Sequence, residues 1–339
     1  MLKAAISQLV AGQDLNEAQA EQAMDIIMAG KATSAQIGAF LIALRLKGET
    51  VEEITGFARS MRRQAAAIST RHQVFVDTCG TGGDGRHTFN ISTTAAFVIA
   101  GAGVAVAKHG NRSVSSRCGS ADMLEALGVR VDLPPAAAAS CLDEVGMAFL
   151  FAPVFHEAMK HAAGPRREIG TRSVFNLLGP LTNPAGAPCQ LVGVYDSSLT
   201  ETVAAVLGRL GSRRAYVLHG SDGMDEITIA GPSKITCLDG GRINTFTFYP
   251  EEAGLARSSS NELTGGTAVD NAAIALSVLK GEKGPARDVV LLNAAFGLLA
   301  AGVEKSLTGA MAVAAESIDS GAAMAKLHDM KAWIESRAA

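Results

Sequence analysis

Four closely spaced glycines between a short apolar segment and a longer helical pattern constrain this fold more than any other feature. They lie in residues 77–93, after the β-like residues 74–76 and before the apolar helical pattern of 94–100. Glycine has no Cβ, so its backbone can adopt positive φ and bring N–H groups against a bound group. A glycine turn where a parallel strand meets a helix N-terminus is typical of an anion-binding site. The pattern therefore predicts an α/β unit with an anionic ligand.

The turn matches a dinucleotide-binding pattern only in part. Gly80, Gly82 and Gly85 have the G-x-G-x-x-G spacing. A dinucleotide site also needs an acidic residue roughly 20 positions later, at the end of the second strand. Here the second predicted strand, 104–107, ends in a basic and polar sequence that begins at Lys108. Asp84 would repel a phosphate alone, so its presence indicates a ligand with free hydroxyls or a bound metal.

Length and composition narrow the class of protein. A chain of 339 residues favours two domains, and a net charge of −3 gives no general attraction to nucleic acid or anionic membranes. The five cysteines are scattered without metal-site or redox spacing, and the first residues lack the apolar core of a signal peptide. We therefore expect a cytoplasmic protein with reduced thiols and with neither a nucleic-acid nor a membrane partner.

Two patterns divide the chain. Residues 1–70 have helical spacing throughout, with capping-box starts at Asn16, Thr33 and Thr50. From residue 74 short apolar runs alternate with helical ones, which predicts a mostly parallel sheet flanked by helices, with its ligand at the carboxyl ends of the strands. The predicted strands are 74–76, 104–107, 129–131, 147–151, 191–194 and 215–218. The predicted fold class is α/β with a small all-helical N-terminal domain.

Two further segments have the chemistry expected of a diphosphate site. Residues 108–120 contain four cations or potential cations and four hydroxyls, all of which can donate to phosphate oxygens. The pair Asp225–Glu226 follows the predicted strand 215–218. An adjacent acidic pair is usually a polar turn, but beside a diphosphate it favours Mg²⁺ held by few protein ligands. Arg166 lies in a charged helical segment, where it is either a surface side chain or a clamp for a substrate carboxylate.

Taken together, these motifs resemble those of the anthranilate phosphoribosyltransferases. The matching segments follow in the same order over most of the chain and are 80–84, 90–93, 108–112, 119–122, 175–184 and 225–226. The resemblance implies transfer of phosphoribosyl from phosphoribosyl pyrophosphate to the amine of anthranilate, with Mg²⁺, in tryptophan biosynthesis. It also implies a homodimer with a fold of the nucleoside phosphorylase type. The implied domains are a helical one, residues 1–70 with inserted helices at about 164–185, and an α/β one, residues 71–339.

The resemblance assigns site residues by position. Those implied for phosphoribosyl pyrophosphate are Gly80, Gly83, Asp84, Thr88, Asn90, Ile91, Ser92, Thr93, Lys108, His109, Gly110, Asn111, Arg112, Ser113, Val114, Ser115, Ser116 and Ser120. Those implied for anthranilate are Gly80, Asn111 and Arg166, with Arg167 and Arg172 as further candidates, and those for Mg²⁺ are Ser92, Asp225 and Glu226. No general base is assigned, because the lone pair of an arylamine is available without deprotonation. Lys108 and Arg112 are expected to stabilise the leaving diphosphate.

Two alternatives stay open at this stage. One is a pyrimidine nucleoside phosphorylase, a class that resembles this chain in fold and holds one phosphate with similar motifs. The diphosphate-sized glycine turn and the acidic pair favour the transferase. A non-catalytic relative that binds nucleic acid would need a basic surface, and the net charge of −3 does not favour one.

Overall fold

Four N-terminal helices begin the chain in a computed structural model, which describes residues 1–113 and 117–338. They are α1 (Leu2–Val10), α2 (Glu17–Met28), α3 (Ser34–Lys47) and α4 (Val51–Gln64). The predicted capping boxes at Asn16, Thr33 and Thr50 are confirmed. The side chain of each accepts a hydrogen bond from the backbone N–H of the residue three positions later, and the side chain of that later residue accepts one from the backbone N–H of the cap residue. Between these helices Phe40 and Phe57 pack edge to face at 5.7 Å, so the four helices share an apolar interior.

A seven-stranded sheet follows in the order β3-β2-β1-β4-β5-β6-β7. The strands are β1 (Phe75–Gly80), β2 (Ala105–Gly110), β3 (Met147–Phe151), β4 (Cys189–Gly193), β5 (Arg214–Gly220), β6 (Ser233–Asp239) and β7 (Arg242–Phe248). Strands β1 to β5 are parallel, whereas β6 and β7 are antiparallel. The strand order changes direction between β1 and β4, and in such sheets the crevice at that switch point is where ligands bind. The predicted α/β class with an N-terminal helical part is confirmed.

The remaining helices cover both faces of this sheet. They are α5 (Ile91–Gly101), α6 (Ser120–Ala126), α7 (Pro135–Val145), α8 (Ala152–Phe155), α9 (Lys160–Ile169), α10 (Phe175–Leu181), α11 (Thr200–Arg209), α12 (Ala268–Leu279), α13 (Pro285–Ala301), α14 (Leu307–Asp319) and α15 (Ala322–Ala338). Short 3-10 helices lie at Glu157–Met159, Ser197–Leu199, Pro250–Ala253 and Ser260–Leu263. Within the described ranges, no helix combines the length and the apolar character needed to cross a membrane.

Successive residues along β4 belong to two different apolar clusters, one on each face of the sheet. Leu191 of β4 packs with α5 and α13, whereas its neighbour Val192 packs in a cluster that also contains α11 and the N-terminal helices. This alternation follows from the two-residue period of a strand, which points successive side chains to opposite faces. Leu178 and Leu181 of α10 belong to the cluster of the N-terminal helices, so α10 shares an interior with α1–α4.

Two details of the sheet differ from the strand predictions. Residues 129–131 form a loop after α6 rather than a strand, because Val129 N–H closes the helix end by bonding to the Leu124 carbonyl, and the next strand is β3. The hairpin β6–β7 was not among the predicted strands. Its signal is Asp239-Gly240-Gly241, in which both glycines have the positive φ, 55° and 84°, that a tight hairpin turn requires.

Candidate functional site

The acidic pair and the glycine turn meet at the carboxyl edge of the sheet. Asp225 Oδ2 accepts a hydrogen bond from the Gly82 N–H at 2.7 Å, and Glu226 Oε1 accepts one from the Ser92 N–H at 3.1 Å. Ser92 lies in the first turn of α5, where N–H groups have no partner within the helix. The two carboxylates therefore hold the two ends of the segment that joins β1 to α5.

Two glycines make room for this contact. Gly80 ends β1 and pairs with Gly193, which ends β4. A Cβ at Gly80 would overlap the Asp225 carboxylate, and a Cβ at Gly193 would overlap the Asp225 carbonyl. The acidic pair can therefore approach the sheet edge only because both strands end in glycine. Gly193 escaped the sequence analysis, although a glycine inside the predicted strand 191–194 was its available signal.

The carboxyl groups at this edge are crowded. Burial raises the pKa of Asp225 to about 7, with the charge of Asp84 adding to the shift. Burial also raises the pKa of Glu226 to about 8, with the charge of Asp225 adding to it. A cation would relieve this repulsion, and oxygen ligands are those that Mg²⁺ prefers. In residues 1–113 and 117–338 no three His, Cys, Asp or Glu side chains form a cation cage, so Mg²⁺ here would complete its shell with phosphate oxygens and waters.

Lys108 lies beneath the N-terminus of α5 and is only 2% exposed. Its Nζ donates to the Thr78 carbonyl and, at 3.4 Å, to Ser92 Oγ. Burial lowers the pKa of Lys108, while the charge of Asp77 opposes that shift. Asp77 is itself buried and accepts a hydrogen bond from the His109 N–H at 3.0 Å. The bonds of Lys108 fix its ammonium group between β1 and the first turn of α5.

Residues just before α5 form the next part of the crevice. Thr88 pairs with Thr264 in an isolated bridge, and Asn90 accepts a hydrogen bond from Asn271 Nδ2 at 2.8 Å. Ile91 and Thr93 are buried, whereas Asn90 and Ser92 are half-buried. The side chains at 90 and 92 are thus more accessible to a ligand than those at 91 and 93.

The loop after β2 is held by α6. Arg112 forms a two-point ion pair with Glu125, at 2.6 and 2.7 Å, and a further pair with Asp122 at 2.9 Å. These carboxylates raise the pKa of Arg112, Glu125 having the larger effect. Asp122 also accepts from the Ser113 N–H, while Ser120 Oγ donates to the Asn111 carbonyl at 3.1 Å. A Cβ at Gly110 would overlap Ser120 Oγ. The predicted residues Val114, Ser115 and Ser116 lie outside the described residues.

The candidate arginines differ in what they contact. The guanidinium carbon of Arg166 lies 4.9 Å from the ring centroid of Phe175, and burial lowers the pKa of Arg166. Arg172 lies over the Tyr195 ring at 4.4 Å and donates to the Gly83 carbonyl in the glycine turn. Arg167 is exposed. Arg172 is therefore the one of these three whose guanidinium touches the glycine turn.

Two buried histidines lie between β2 and α10. His109 Nδ1 lies 3.1 Å from the Gly179 carbonyl oxygen, and the His109 and His156 ring centroids are 5.1 Å apart. Burial lowers the pKa of His109 to about 3 and that of His156 to about 4. Both rings are therefore neutral near pH 7.

Comparisons with known proteins agree with this geometry. A family model described as glycosyl transferase family, a/b domain, matches residues 72–324, and one described as glycosyl transferase family, helical bundle domain, matches residues 3–65. The anthranilate phosphoribosyltransferase of Moorella thermoacetica is 77% identical over 339 residues, which cover 100% of both chains. The chain belongs to the anthranilate phosphoribosyltransferase family.

Solved structures of family members have the same fold. The Thermus thermophilus anthranilate phosphoribosyltransferase superposes with a TM-score of 0.93 at 44% identity, covering 98% of this chain and 99% of that one. The Saccharomyces cerevisiae anthranilate phosphoribosyltransferase, solved in complex with PRPP and Mg, gives a TM-score of 0.90 at 26% identity, with 99% and 98% covered. The resemblance inferred from the motifs is confirmed. This anthranilate phosphoribosyltransferase family member is an enzyme of the pentosyltransferase class, and the phosphorylase alternative is not supported.

Some residues that no motif marked also shape the site of this family member. Asn293 in α13 is fully buried and binds both backbone groups of Ile227, accepting from its N–H at 3.1 Å and donating to its carbonyl at 3.0 Å. It thereby fixes the chain directly after Glu226. Asn271 donates a single hydrogen bond to the side chain of Asn90. Each partner pair is far apart in sequence, so no local pattern could have revealed it.

Proposed function

We propose that the carboxyl ends of β1, β2, β4 and β5 form the site where this chain transfers phosphoribosyl from 5-phosphoribosyl 1-pyrophosphate to anthranilate, giving N-(5-phosphoribosyl)anthranilate and pyrophosphate, in tryptophan biosynthesis. The observation that carries the proposal is the contact of Asp225 and Glu226 with the Gly82 and Ser92 N–H groups. At this edge the glycine turn and the N-terminus of α5 offer their remaining backbone donors to phosphate oxygens. Asp225 and Glu226 beside them offer their remaining carboxylate oxygens to a cation. A diphosphate bound with a divalent cation needs both the hydrogen-bond donors and the carboxylates.

The substrate residues follow from this arrangement. The glycine turn with Gly80 and Gly83, the residues from Thr88 to Thr93, and the loop from Lys108 to Ser120 are proposed to bind phosphoribosyl pyrophosphate. Asp84 is close enough to Asp225 to raise the pKa of that carboxyl, which supports a role at the ribose hydroxyls or at the hydrated metal. Ser92, Asp225 and Glu226 would hold Mg²⁺, which when bound supplies positive charge to the leaving diphosphate.

The reaction needs charge stabilisation more than proton transfer. Breaking the anomeric C–O bond leaves positive charge on the ribose and negative charge on the departing diphosphate. Lys108, the N-terminus of α5 and the N–H groups of the glycine turn can stabilise the departing charge. The amine of anthranilate is uncharged at neutral pH, so its lone pair can attack the anomeric carbon without a general base, and the nitrogen then releases one proton to water or to the departing pyrophosphate. Positioning and leaving-group electrostatics therefore carry most of the rate.

Anthranilate binding is proposed to use Gly80, Asn111 and Arg166. The lowered pKa of Arg166 reflects burial, and a substrate carboxylate would compensate its buried charge. Arg172, which donates to the Gly83 carbonyl, is proposed to support the glycine turn. This assignment gives the two neighbouring arginines different roles.

Turnover can be tested by the loss of anthranilate fluorescence after addition of phosphoribosyl pyrophosphate and Mg²⁺. We expect turnover with this pair and none with thymidine plus phosphate. Asp225→Ala and Glu226→Ala should each lose activity at limiting Mg²⁺. Turnover only with thymidine and phosphate, or full activity in both variants, would refute the proposal.

The domains and assembly complete the proposal. Residues 1–70 with the inserted segment at about 164–185 are proposed to form one domain, supported by the shared interior of α10 and the N-terminal helices.

A homodimer is proposed, supported by the exposed apolar side chains of Val10 and Leu46 at the ends of α1 and α3, 73% and 83% accessible. A cytoplasmic location is supported by the five cysteines, which form no disulfide with one another in the described residues. Sedimentation at low micromolar concentration tests the dimer, and a monomer there would contradict it.

A further inference from the structure

Asn271 connects α12 to the substrate crevice although the proposed mechanism does not use it. The residue is 1% exposed. Its Nδ2 donates to Asn90 Oδ1 at 2.8 Å, and its Oδ1 accepts from the Gly266 N–H at 2.8 Å. The two asparagines are 181 residues apart in sequence. A buried amide in this position can control how Asn90 meets a ligand.

The polarity of the contact is set by a backbone group. The Gly266 N–H can only donate, so the Asn271 atom that faces it must be the oxygen. The NH₂ group of Asn271 therefore faces Asn90, and Asn90 must turn its own oxygen toward that donor. The Cys118 thiol also donates to Asn90 Oδ1, at 3.4 Å. One N–H of Asn90 points at the Cys118 carbonyl at 3.5 Å. With its oxygen facing Asn271 and the thiol, Asn90 has its second N–H to offer to a ligand, and an N–H donor suits phosphate oxygens.

The segment that carries Gly266 is fastened beside the residues that precede α5. The Phe89 N–H donates to the Leu263 carbonyl at 3.0 Å, and the Gly265 N–H donates to the His87 carbonyl at 2.8 Å. A Cβ at Gly265 would lie 2.6 Å from Asn271 Oδ1 and 2.8 Å from the Phe89 backbone. A side chain at 265 would therefore separate the two segments. This packing holds Asn271 at a fixed distance from Asn90.

We propose that Asn271 is a positioning residue for substrate binding, which fixes the amide of Asn90 so that its NH₂ group faces phosphoribosyl pyrophosphate. The proposal rests on the proposed function, in which Asn90 binds that substrate. Without Asn271 the Asn90 amide could rotate and present its oxygen, which would repel the phosphate oxygens. Asn271 thus acts on the substrate through Asn90.

Asn271→Asp tests this polarity with little change of shape. A carboxylate still accepts from the Gly266 N–H but cannot donate to Asn90, so two oxygens would face each other. We expect the KM for phosphoribosyl pyrophosphate to rise about tenfold, with the KM for anthranilate and kcat each changing less than about twofold. Asn271→Ala serves if the aspartate variant does not fold. A rise in both KM values together, or none in either, would overturn the proposal.

Ser317→Ala is the matched control. Ser317 is 3% exposed, and its Oγ donates to the Val98 carbonyl at 2.7 Å, further along the same helix α5. Like the Asn271 variants, Ser317→Ala removes one buried side-chain hydrogen bond at α5, but this bond lies away from Asn90. It should therefore lower the unfolding temperature while leaving both KM values unchanged. An equal rise in the KM for phosphoribosyl pyrophosphate would show that the Asn271 effect is merely structural.

A double-mutant cycle distinguishes the possible failures. If Asn271 acts through Asn90, then Asn90→Ala combined with Asn271→Asp should have the same KM for phosphoribosyl pyrophosphate as Asn90→Ala alone. Multiplied effects would overturn the coupling but leave the substrate role of Asn90 intact. If Asn90→Ala itself leaves this KM unchanged, the substrate role of Asn90 fails, and the proposal for Asn271 fails with it.

Discussion

Asp225 and Glu226 bond to the backbone of neighbouring segments, whereas Arg112, in the loop after β2, bonds to carboxylates of α6. We call Asp225 and Glu226, with Gly80 and Gly193 against them, the acidic wall. In this wall the contacts are close and Glu226 is buried, but the Arg112 side chain is 49% exposed. The difference teaches that hydrogen bonds to the protein backbone hold the acidic wall. To take the phosphate role proposed for it, Arg112 would have to exchange Glu125 for a phosphate oxygen.

Lys108 is a basic group that is fixed as firmly as the acidic wall, so its loss should have the largest effect. Lys108→Met keeps the length of the side chain but removes the charge beneath α5. We expect kcat/KM to fall roughly 10²–10³-fold. We also expect the free energy of unfolding to fall, because Asp77 stays buried without the nearby positive charge of Lys108. Steady-state kinetics and urea unfolding measure the two effects, and near wild-type kinetics would contradict the leaving-group role.

Gly193→Ala breaks the acidic wall without touching a charged group. The added Cβ would overlap the Asp225 carbonyl, so the acidic pair must move away from the glycine turn. We expect kcat/KM to fall by about 100-fold, the cost of a displacement near 1 Å in a catalytic site. Gly38→Ala in α3 is the control, because a Cβ there meets nothing within 4 Å. Equal kinetics for the two variants would show that the wall tolerates displacement.

Substitutions at Arg112 and Glu125 test whether a phosphate oxygen can replace Glu125 as the partner of Arg112. Arg112→Gln should raise the KM for phosphoribosyl pyrophosphate about tenfold, because one charge-assisted phosphate contact is lost. Glu125→Gln should lower that KM by about two- to threefold, because a neutral amide competes less well for the guanidinium. Arg130→Gln, which removes an exposed ion pair with Asp132, should leave it unchanged. An unchanged or higher KM in Glu125→Gln would contradict the competition.

Local patterns in the sequence predicted those parts of the fold that local interactions determine. The capping boxes at Asn16, Thr33 and Thr50 satisfy N–H groups within one turn, so their spacing alone revealed them. The same is true of the glycine turn between β1 and α5. Residues 129–131 show the limit of such patterns, because a short apolar run can be buried in a loop as well as in a strand.

Contacts over long sequence separations could not be predicted in this way. The motifs brought Asp225 and Glu226 into the site, but they did not show that Gly193 makes room for them. Nor could they show that Asn271 orients Asn90, because a buried asparagine early in a helix has no pattern of its own. The ion pair of Arg112 with Glu125 was also not anticipated, since the motif marked Arg112 only as a phosphate donor. Each of these features depends on how separate elements pack together.

The Mg²⁺ requirement of Glu226→Gln, compared with that of Arg112→Gln, tests the central claim most directly. Activity would be titrated with Mg²⁺ at saturating phosphoribosyl pyrophosphate and anthranilate. Glutamine can still accept from the Ser92 N–H but carries no charge, so we expect the half-saturating Mg²⁺ concentration to rise at least about tenfold. Arg112→Gln should leave that concentration unchanged. An unchanged Mg²⁺ requirement in Glu226→Gln, or equal shifts in both variants, would contradict the metal role of the acidic wall.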